Sequence, residues 1–564
     1  MMFSEYKYER PNFEVYKNTI LKSISEMEIA GDFKEIEIKL ENIEKLRSNY
    51  DTMFNLSYIR HTINTKDEFY DKEQEYFDEN GPLYSEVDNA FFKFINNSRF
   101  KKIFIDRYGE QFIKLIDLKL KSFSSEIIDD LKEENRLVTE YGKLIASAKI
   151  IYNGEELNIS SIGKYTEDLD RNIRKEASEK LWGFFEENEN KFDEIYDSLV
   201  KVRTKIAKKL GYKNFIELGY IRMSRTDYNK DMVNTFRKQV EKYIVPIANK
   251  AFKKQKERLG LKELNYYDLS INFLSGNAIP KGNKEWMLDK ASKMYSELSK
   301  ETKEFFSFMV NNKLLDLESK KNKSAGGYCT YIADYKSPFI FANFNKTSGD
   351  VDVLTHEAGH AFQVYLSRWI KTPEVIWPTN ESAEIHSMSM EFLTWPWMEL
   401  FFKEDTEKYK FTHLQSALTF IPYGVAVDEF QHYVYENYTA TKEERKAAWR
   451  KIERKYLPYK DYSENLFLDK GTYWFKQGHI FEVPFYYIDY TLAEICALQF
   501  WKKMKEDKDI AWKDYISLCK EGGTKSFLEL VKIANLNSPF KEGCMENIIN
   551  DIDKYLYNIE DKKL

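Results

Sequence analysis

The sequence predicts a large, mostly α-helical globular protein with a little β-structure, and three observations carry that expectation. Gly and Pro are scarce, 22 and 12 in 564 residues, too little punctuation for the many tight turns of an all-β chain. Long stretches place apolar residues three and four apart between Lys and Glu, the spacing that gives a helix one apolar face. Hydrophobic residues make up 43% and charged residues 32%, a balance that builds cores and not a disordered chain. At this length more than one core is expected. Aromatics at 16%, with 39 Tyr and 40 Phe, suffice for extensive cores and an aromatic-lined cleft.

The same composition excludes several classes of function. Basic residues number 86 and acidic ones 92, for a net charge of −6, so there is no electrostatic footprint for nucleic acid or an anionic membrane. No run of ~18 uncharged apolar residues predicts a spanning helix. The most apolar segment, Ile480 to Tyr490, is interrupted by Glu482, Pro484 and Asp489. The start, MMFSEYKYERPNF, lacks the basic-then-apolar pattern of a signal peptide. Cys329, Cys496, Cys519 and Cys544 form no Cys-x-x-Cys pair, which predicts reduced thiols in a cytoplasmic protein.

In chain order, the first 145 residues read as helices, with clear periodicity over Phe33 to Leu46 and Phe112 to Leu131. A hairpin follows: Ser147 to Tyr152, then Asn153-Gly154, then Glu155 to Ile159. Asn-Gly suits a tight primed turn because both residues tolerate positive φ. Phe192, Ile195, Leu199, Val202 and Ile206 then step by three and four towards a stop at Gly211. The expected organisation is an N-terminal helical region over 1–190, including the hairpin near 148–159, and a catalytic region over 191–564, with no Pro/Gly/Ser linker between them. After Gly326-Gly327, Tyr328–Ile332 and Pro338–Phe344 read as two short strands. Pro338 is tolerated there if its strand is an edge, since it has no ladder N–H to give. An edge strand beside a catalytic helix could bind an extended peptide by adding a strand.

The chemistry begins at His356-Glu357-Ala358-Gly359-His360. Histidines four apart lie one helical turn above each other, so their ring nitrogens can chelate one metal ion. Glu357, offset around the helix, is better placed to act as general base on a metal-bound water than to ligate. Gly359 inside a helix costs about 1 kcal/mol against Ala and signals close backbone packing. A zinc site needs a third protein ligand and an open position. Pro373 and Pro378 interrupt the chain, and Thr379-Asn380 can cap a second helix beginning near Glu381. On that helix Glu381, Glu384, His386 and Glu391 are all candidate ligands, and spacing alone does not choose between them.

The HEAGH run together with Glu384-Ile385-His386-Ser387-Met388 resembles the oligoendopeptidase F branch of the thimet oligopeptidase family of zinc metallopeptidases. Gly326-Gly327-Tyr328-Cys329, Pro338-Phe339-Ile340-Phe341, Tyr266-Tyr267-Asp268-Leu269 and the late run from Gly478-His479 to Asp489-Tyr490 support it. The resemblance runs from about Lys149 to the C-terminus. It implies a mainly α zincin-like fold: two helical lobes around a deep substrate channel, with a small β-sheet next to the HExxH helix. It implies Zn²⁺, one per chain, on His356, His360 and Glu384, with Glu357 as base and Glu381 as a positioning group. It further implies that His479 and Tyr490 donate to the developing oxyanion, with Tyr487 and Tyr486 as nearby alternatives. This chain has Phe481 where the family often has another tyrosine, and Pro484 beyond it. His386 is expected in a core or hydrogen-bonding role, and His61, His413 and His432 as structural or surface residues.

The function implied is a zinc-dependent oligoendopeptidase that hydrolyses internal bonds of short unstructured peptides. The competing readings are a dipeptidyl carboxypeptidase-type relative and a non-catalytic helical peptide-binding protein. An intact Glu357 speaks against the last, since binding needs no general base.

Overall fold

Helical periodicity drives most of the chain into helices, and the computed structural model describes residues 1–462, 464–559 and 564. The helix Phe33–Ile63 opens on Asp32, whose carboxylate accepts from the Lys34 and Glu35 amides, satisfying two otherwise orphaned donors. Its apolar face serves two cores. Ile36, Leu40 and Ile43 pack in a smaller cluster with the other N-terminal helices, while Met53, Leu56 and Ile59 join the large cluster that fills the rest of the protein. The Phe112–Leu131 stretch is two helices, Glu110–Ser122 and Ile128–Ala146, because Ser124 caps a short 3-10 turn between them. The helix Glu189–Lys209 ends at Leu210, and Gly211 follows at φ 85°, a left-handed stop that glycine alone adopts without strain.

Five short strands are present among the described residues. β1 (Ile150–Tyr152) and β2 (Glu155–Leu157) form the expected hairpin, with Asn153 and Gly154 both at positive φ. β3 (Leu315–Glu318), β4 (Tyr328–Ile332) and β5 (Ser337–Phe344) form a sheet in the order β3-β5-β4, with β5 parallel to β3 and antiparallel to β4. The strand carrying Pro338 is therefore central, not an edge. Pro338 fits because β3 starts to pair with β5 only at Ile340, whose amide donates to the Leu314 carbonyl. Amides two apart on a strand point the same way, so the N–H that Pro338 lacks would face the overhang where β3 is absent.

The sheet packs against the helix Gly349–Ser367, which carries HEAGH and is called the motif helix below. The motif helix packs in turn on Asn380–Leu393, the carboxylate helix. Gly359 explains how closely. A Cβ there would stand 2.6 Å from the His386 carbonyl oxygen and 2.7 Å from the Ser387 Cα, distances that no side chain tolerates. Two further helices complete the surroundings: the long helix Thr406–Glu436 and the tyrosine helix Tyr487–Glu506. No helix among the described residues is long and apolar enough to cross a membrane.

Candidate metal centre

Asp350 fixes the entry of the motif helix by accepting from the Asn345 and Lys346 amides at 2.8 and 2.9 Å. One and a half turns on, the rings of His356 and His360 stand side by side with centroids 5.1 Å apart. The close approach at Gly359 delivers Glu384 to them. Its Oε2 lies 3.2 Å from His356 Nε2 and 3.3 Å from His360 Nε2. These three residues are the one group among the described residues whose ligand atoms converge to within 4.8 Å. Of the carboxylates that spacing left open, the geometry therefore brings Glu384 to the histidine pair.

The electrostatics match a cation at that point. Burial disfavours charge on His356, yet hydrogen bonds to Glu384 and Glu391 outweigh it and push its pKa well above the ordinary histidine value. Burial would raise Glu384, yet His360 and His356 hold it well below the ordinary carboxylate range. The pull that these groups exert on protons is equally available to a divalent ion. Two imidazole nitrogens and one carboxylate oxygen, with room for a fourth ligand, are a donor set that fits zinc.

Glu357 lies beside the cluster, 6% exposed. Its Oε2 is buried with no hydrogen-bond partner, and burial raises its pKa above the ordinary value. β4 is preceded by Gly327 at this point, where a Cβ would stand 3.3 Å from Glu357 Oε1. A carboxylate left unpaired and made more basic is suited to taking a proton.

His356 has support that His360 lacks. Its Nδ1–H donates to Glu391 Oε1 at 2.7 Å, which aims Nε2 at Glu384. The second Glu391 oxygen accepts from His413 Nε2–H at 2.7 Å, and His413 Nδ1 accepts from the Trp395 indole at 3.3 Å. His360 Nδ1 is buried without a partner. Glu391 is thus a partner of a histidine and not part of the converging group. His413, expected as structural or surface, lies in the site instead, brought there by the long helix. No sequence signal links residues 57 positions apart on different helices. Asp352 was findable: it precedes His356 by four residues and lines the same cavity, where it accepts from the Tyr409 hydroxyl at 2.6 Å.

The late run forms the opposite wall. Its entry is clamped at Phe485, which holds φ 70°: its amide donates to Gln431 Oε1 and its carbonyl accepts from Arg225. Phe485 leads directly into Tyr486 and Tyr487. Tyr486 donates to Glu384 Oε1 at 2.5 Å. His479 Nε2 lies 3.1 Å from the Tyr490 hydroxyl, and His479 Nδ1 is 2.9 Å from Gln477 Nε2. Tyr423 donates to Gln477 Oε1 at 2.8 Å. With the Gln477 N–H donating to Nδ1, the His479 proton resides on Nε2 and points at Tyr490. Burial lowers the His479 pKa to about 4, and burial first, then Glu384, raises Tyr490 well above its ordinary value. Both remain neutral donors at pH 7. Tyr487 contributes its ring, with its centroid 5.1 Å from that of His479.

The other candidates sit elsewhere. Glu381 Oε1 accepts from Thr379, and burial beside Asp489 raises its pKa to about 8. Its other oxygen, Oε2, is buried without a hydrogen-bond partner, and Glu381 is not part of the group that converges with the histidines. His386 donates Nδ1–H to the Ser382 carbonyl at 2.7 Å and is fully buried. His432 bonds Tyr220, and His61 stands 4.0 Å from Asp71.

Known proteins resemble this chain along most of its length. The family model for peptidase family M3 matches residues 164–548, and that for the peptidase M3 N-terminal domain matches residues 3–123. An oligoendopeptidase F homologue of Borreliella burgdorferi is 24% identical over 445 residues, covering 74% of this chain and 73% of its own. A solved structure of Pz peptidase A with an inhibitor is 54% identical, with TM-score 0.98 over 99% of this chain and 100% of that one. One named an oligoendopeptidase F, from Bacillus anthracis str. Ames, is 51% identical, with TM-score 0.94 over 100% of this chain and 99% of that one.

Proposed function

The chain belongs to peptidase family M3, in its oligoendopeptidase F branch of metalloendopeptidases, and on that premise we propose that it is a zinc-dependent oligoendopeptidase acting on short unstructured peptides. The observation that carries the reading is the convergence of His356, His360 and Glu384 with a free, buried Glu357 oxygen beside them. His356, His360 and Glu384 would hold one zinc ion, which when bound polarises the scissile carbonyl and makes a water more acidic.

Glu357 takes the proton of the attacking water and returns it to the leaving nitrogen. Its raised pKa supports both halves of that task, because a carboxylate too acidic would accept the proton poorly. His479 donates Nε2–H to the Tyr490 oxygen, leaving the Tyr490 proton free for the oxyanion that develops on the carbonyl. Tyr486 holds Glu384 in place from the opposite wall. Tyr487 packs against His479 and orients it. Glu384 is 1% exposed and Glu357 6%, so only an extended strand could bring its backbone to these groups. That burial supports short peptides as substrates and a channel between two lobes as the route in. The free cysteines Cys329, Cys496, Cys519 and Cys544 support a reducing, cytoplasmic location. We retain the division into 1–190 and 191–564 as part of the same proposal.

The test is mass spectrometry of products from peptides of about ten residues blocked at both ends, with and without a strong chelator. Internal cleavage that stops on chelation and returns with zinc is the expected result. Cleavage that requires a free C-terminal carboxylate would replace this reading with a carboxydipeptidase, and no cleavage with zinc bound would replace it with a peptide-binding protein.

A further inference from the structure

A cavity of ≈ 320 Å³ opens beside His356 and includes His479, Tyr487 and Tyr490 in its walls. It is therefore continuous with the proposed reaction centre, and its size is that of a small-molecule subsite. Three acids, Asp352, Glu391 and Glu494, line it and no Lys or Arg does; the two histidines in its wall that contact an acid, His356 and His413, are both bonded to Glu391.

Glu494 is the informative member. It lies one turn beyond Tyr490 on the tyrosine helix, is 5% exposed, and its Oε1 has no hydrogen-bond partner. Several other buried acids of this protein are answered by bases: Asp428 by Arg237, Glu134 by Arg203 and Arg222, and Asp489 by Arg225. Glu494 has no Lys or Arg partner: burial first and Glu391 second push its pKa up to about 8, and the opposing pull of His413 and His356 does not offset them. An unpaired buried carboxylate is costly, and a cation entering the cavity would offset the cost. A metal ion is a poor occupant, because these acids do not converge as His356, His360 and Glu384 do. The remaining wall is apolar, with Met388, Ala417 and Phe420, and suits a methylene stem.

We propose that this cavity is a subsite for a basic side chain, Lys or Arg, of the peptide substrate, an inference that rests on the peptidase reading above. Glu494 and Asp352 receive the charged head, and Phe420 and Met388 flank the stem. Glu391 adds field, although its oxygens are already held by His356 and His413.

The test compares end-blocked peptides carrying one Lys with the same peptides carrying acetyl-lysine, which keeps the stem and removes the charge. Dissociation constants are measured on the zinc-loaded protein with Glu357→Gln, and kcat/KM on the wild type. The Lys peptide should bind at least about tenfold more tightly when Lys occupies one fixed position, with wild-type cuts in a constant register to it. Glu494→Gln should bring the Lys to acetyl-lysine ratio close to one. Asp352→Asn, on a different helix, should lower it too, so that misfolding of one variant does not decide the matter. A version with a free α-amine and no Lys separates recognition of a side chain from recognition of a peptide N-terminus. Equal binding of Lys and acetyl-lysine peptides, with cleavage intact, would overturn the subsite and leave the peptidase reading standing. A Lys preference in binding without any cleavage would do the reverse.

Discussion

The two walls of the centre are built on opposite electrostatic plans. On the motif and carboxylate helices, groups of opposite charge tendency contact one another: His356 with Glu384 and Glu391, and His360 with Glu384. On the late run the contacts pass through neutral groups, from Tyr423 to Gln477 to His479 to Tyr490. The first plan suits a resident cation. The second suits charge that exists only in the transition state, because neutral donors carry no net charge and their dipoles interact most strongly once the oxyanion has developed. Tyr486 joins the plans through its bond to Glu384.

Removing groups from each wall should give different signatures. Apart from the metal-binding residues and Glu357 themselves, the largest effect is expected on the neutral wall. His479→Ala or Tyr490→Phe should lower kcat by about 10²–10³, or ~3–4 kcal/mol, with KM changed only a few-fold and zinc retained. Wild-type kcat in both variants would remove this wall from catalysis. Tyr486→Phe should instead weaken zinc binding, since its hydroxyl reaches a ligand; an unchanged zinc affinity would break the bridge between the walls.

On the charged wall, Glu391→Gln should cost about 10–100-fold in zinc affinity, the usual range for a group that orients a metal-binding histidine. Competition with a chromophoric chelator measures it. No equivalent substitution exists behind His360, whose Nδ1 has no partner, so zinc affinity should depend on His356's surroundings more than on His360's.

Of similar size but read in stability, Gly359→Ala should destabilise the protein by about 1–3 kcal/mol, since the two helices must part to admit a methyl group. Denaturant unfolding reads it, and unchanged stability would contradict the close approach that delivers Glu384. The smallest effect is in pH dependence. Burial lowers the His386 pKa to about 4, below the ~6.5 of an unfolded chain. Below pH ~6.5 the unfolded state binds the extra proton, so stability should fall with pH until about 4 and then level. His386→Gln should flatten that part of the melting-temperature profile, and an unaltered profile would mean His386 is not buried neutral.

The charged wall was largely legible in the sequence because helix geometry does the work. Four-residue spacing alone put His356 and His360 on one face, and Gly359 announced the close approach. The choice of Glu384 over Glu381 and Glu391 needed resemblance, since helical spacing cannot say which turn meets a neighbouring helix. His413, Gln477 and Tyr423 were not legible, because what brings them together is packing between elements distant in sequence. Asp352 and Glu494 stood at readable four-residue offsets from His356 and Tyr490 but carried no motif. The edge assignment of Pro338 failed for a local reason: proline needs only a missing neighbour at its own amide, which the short β3 provides.

The central claim is that His356, His360 and Glu384 hold the metal while Glu357 moves the proton. Zinc content and turnover measured together on Glu357→Gln and Glu384→Ala test it most directly. The account predicts about one zinc per chain with turnover lost in Glu357→Gln, and zinc itself lost in Glu384→Ala. Full zinc in Glu384→Ala, or wild-type turnover in Glu357→Gln, would contradict it.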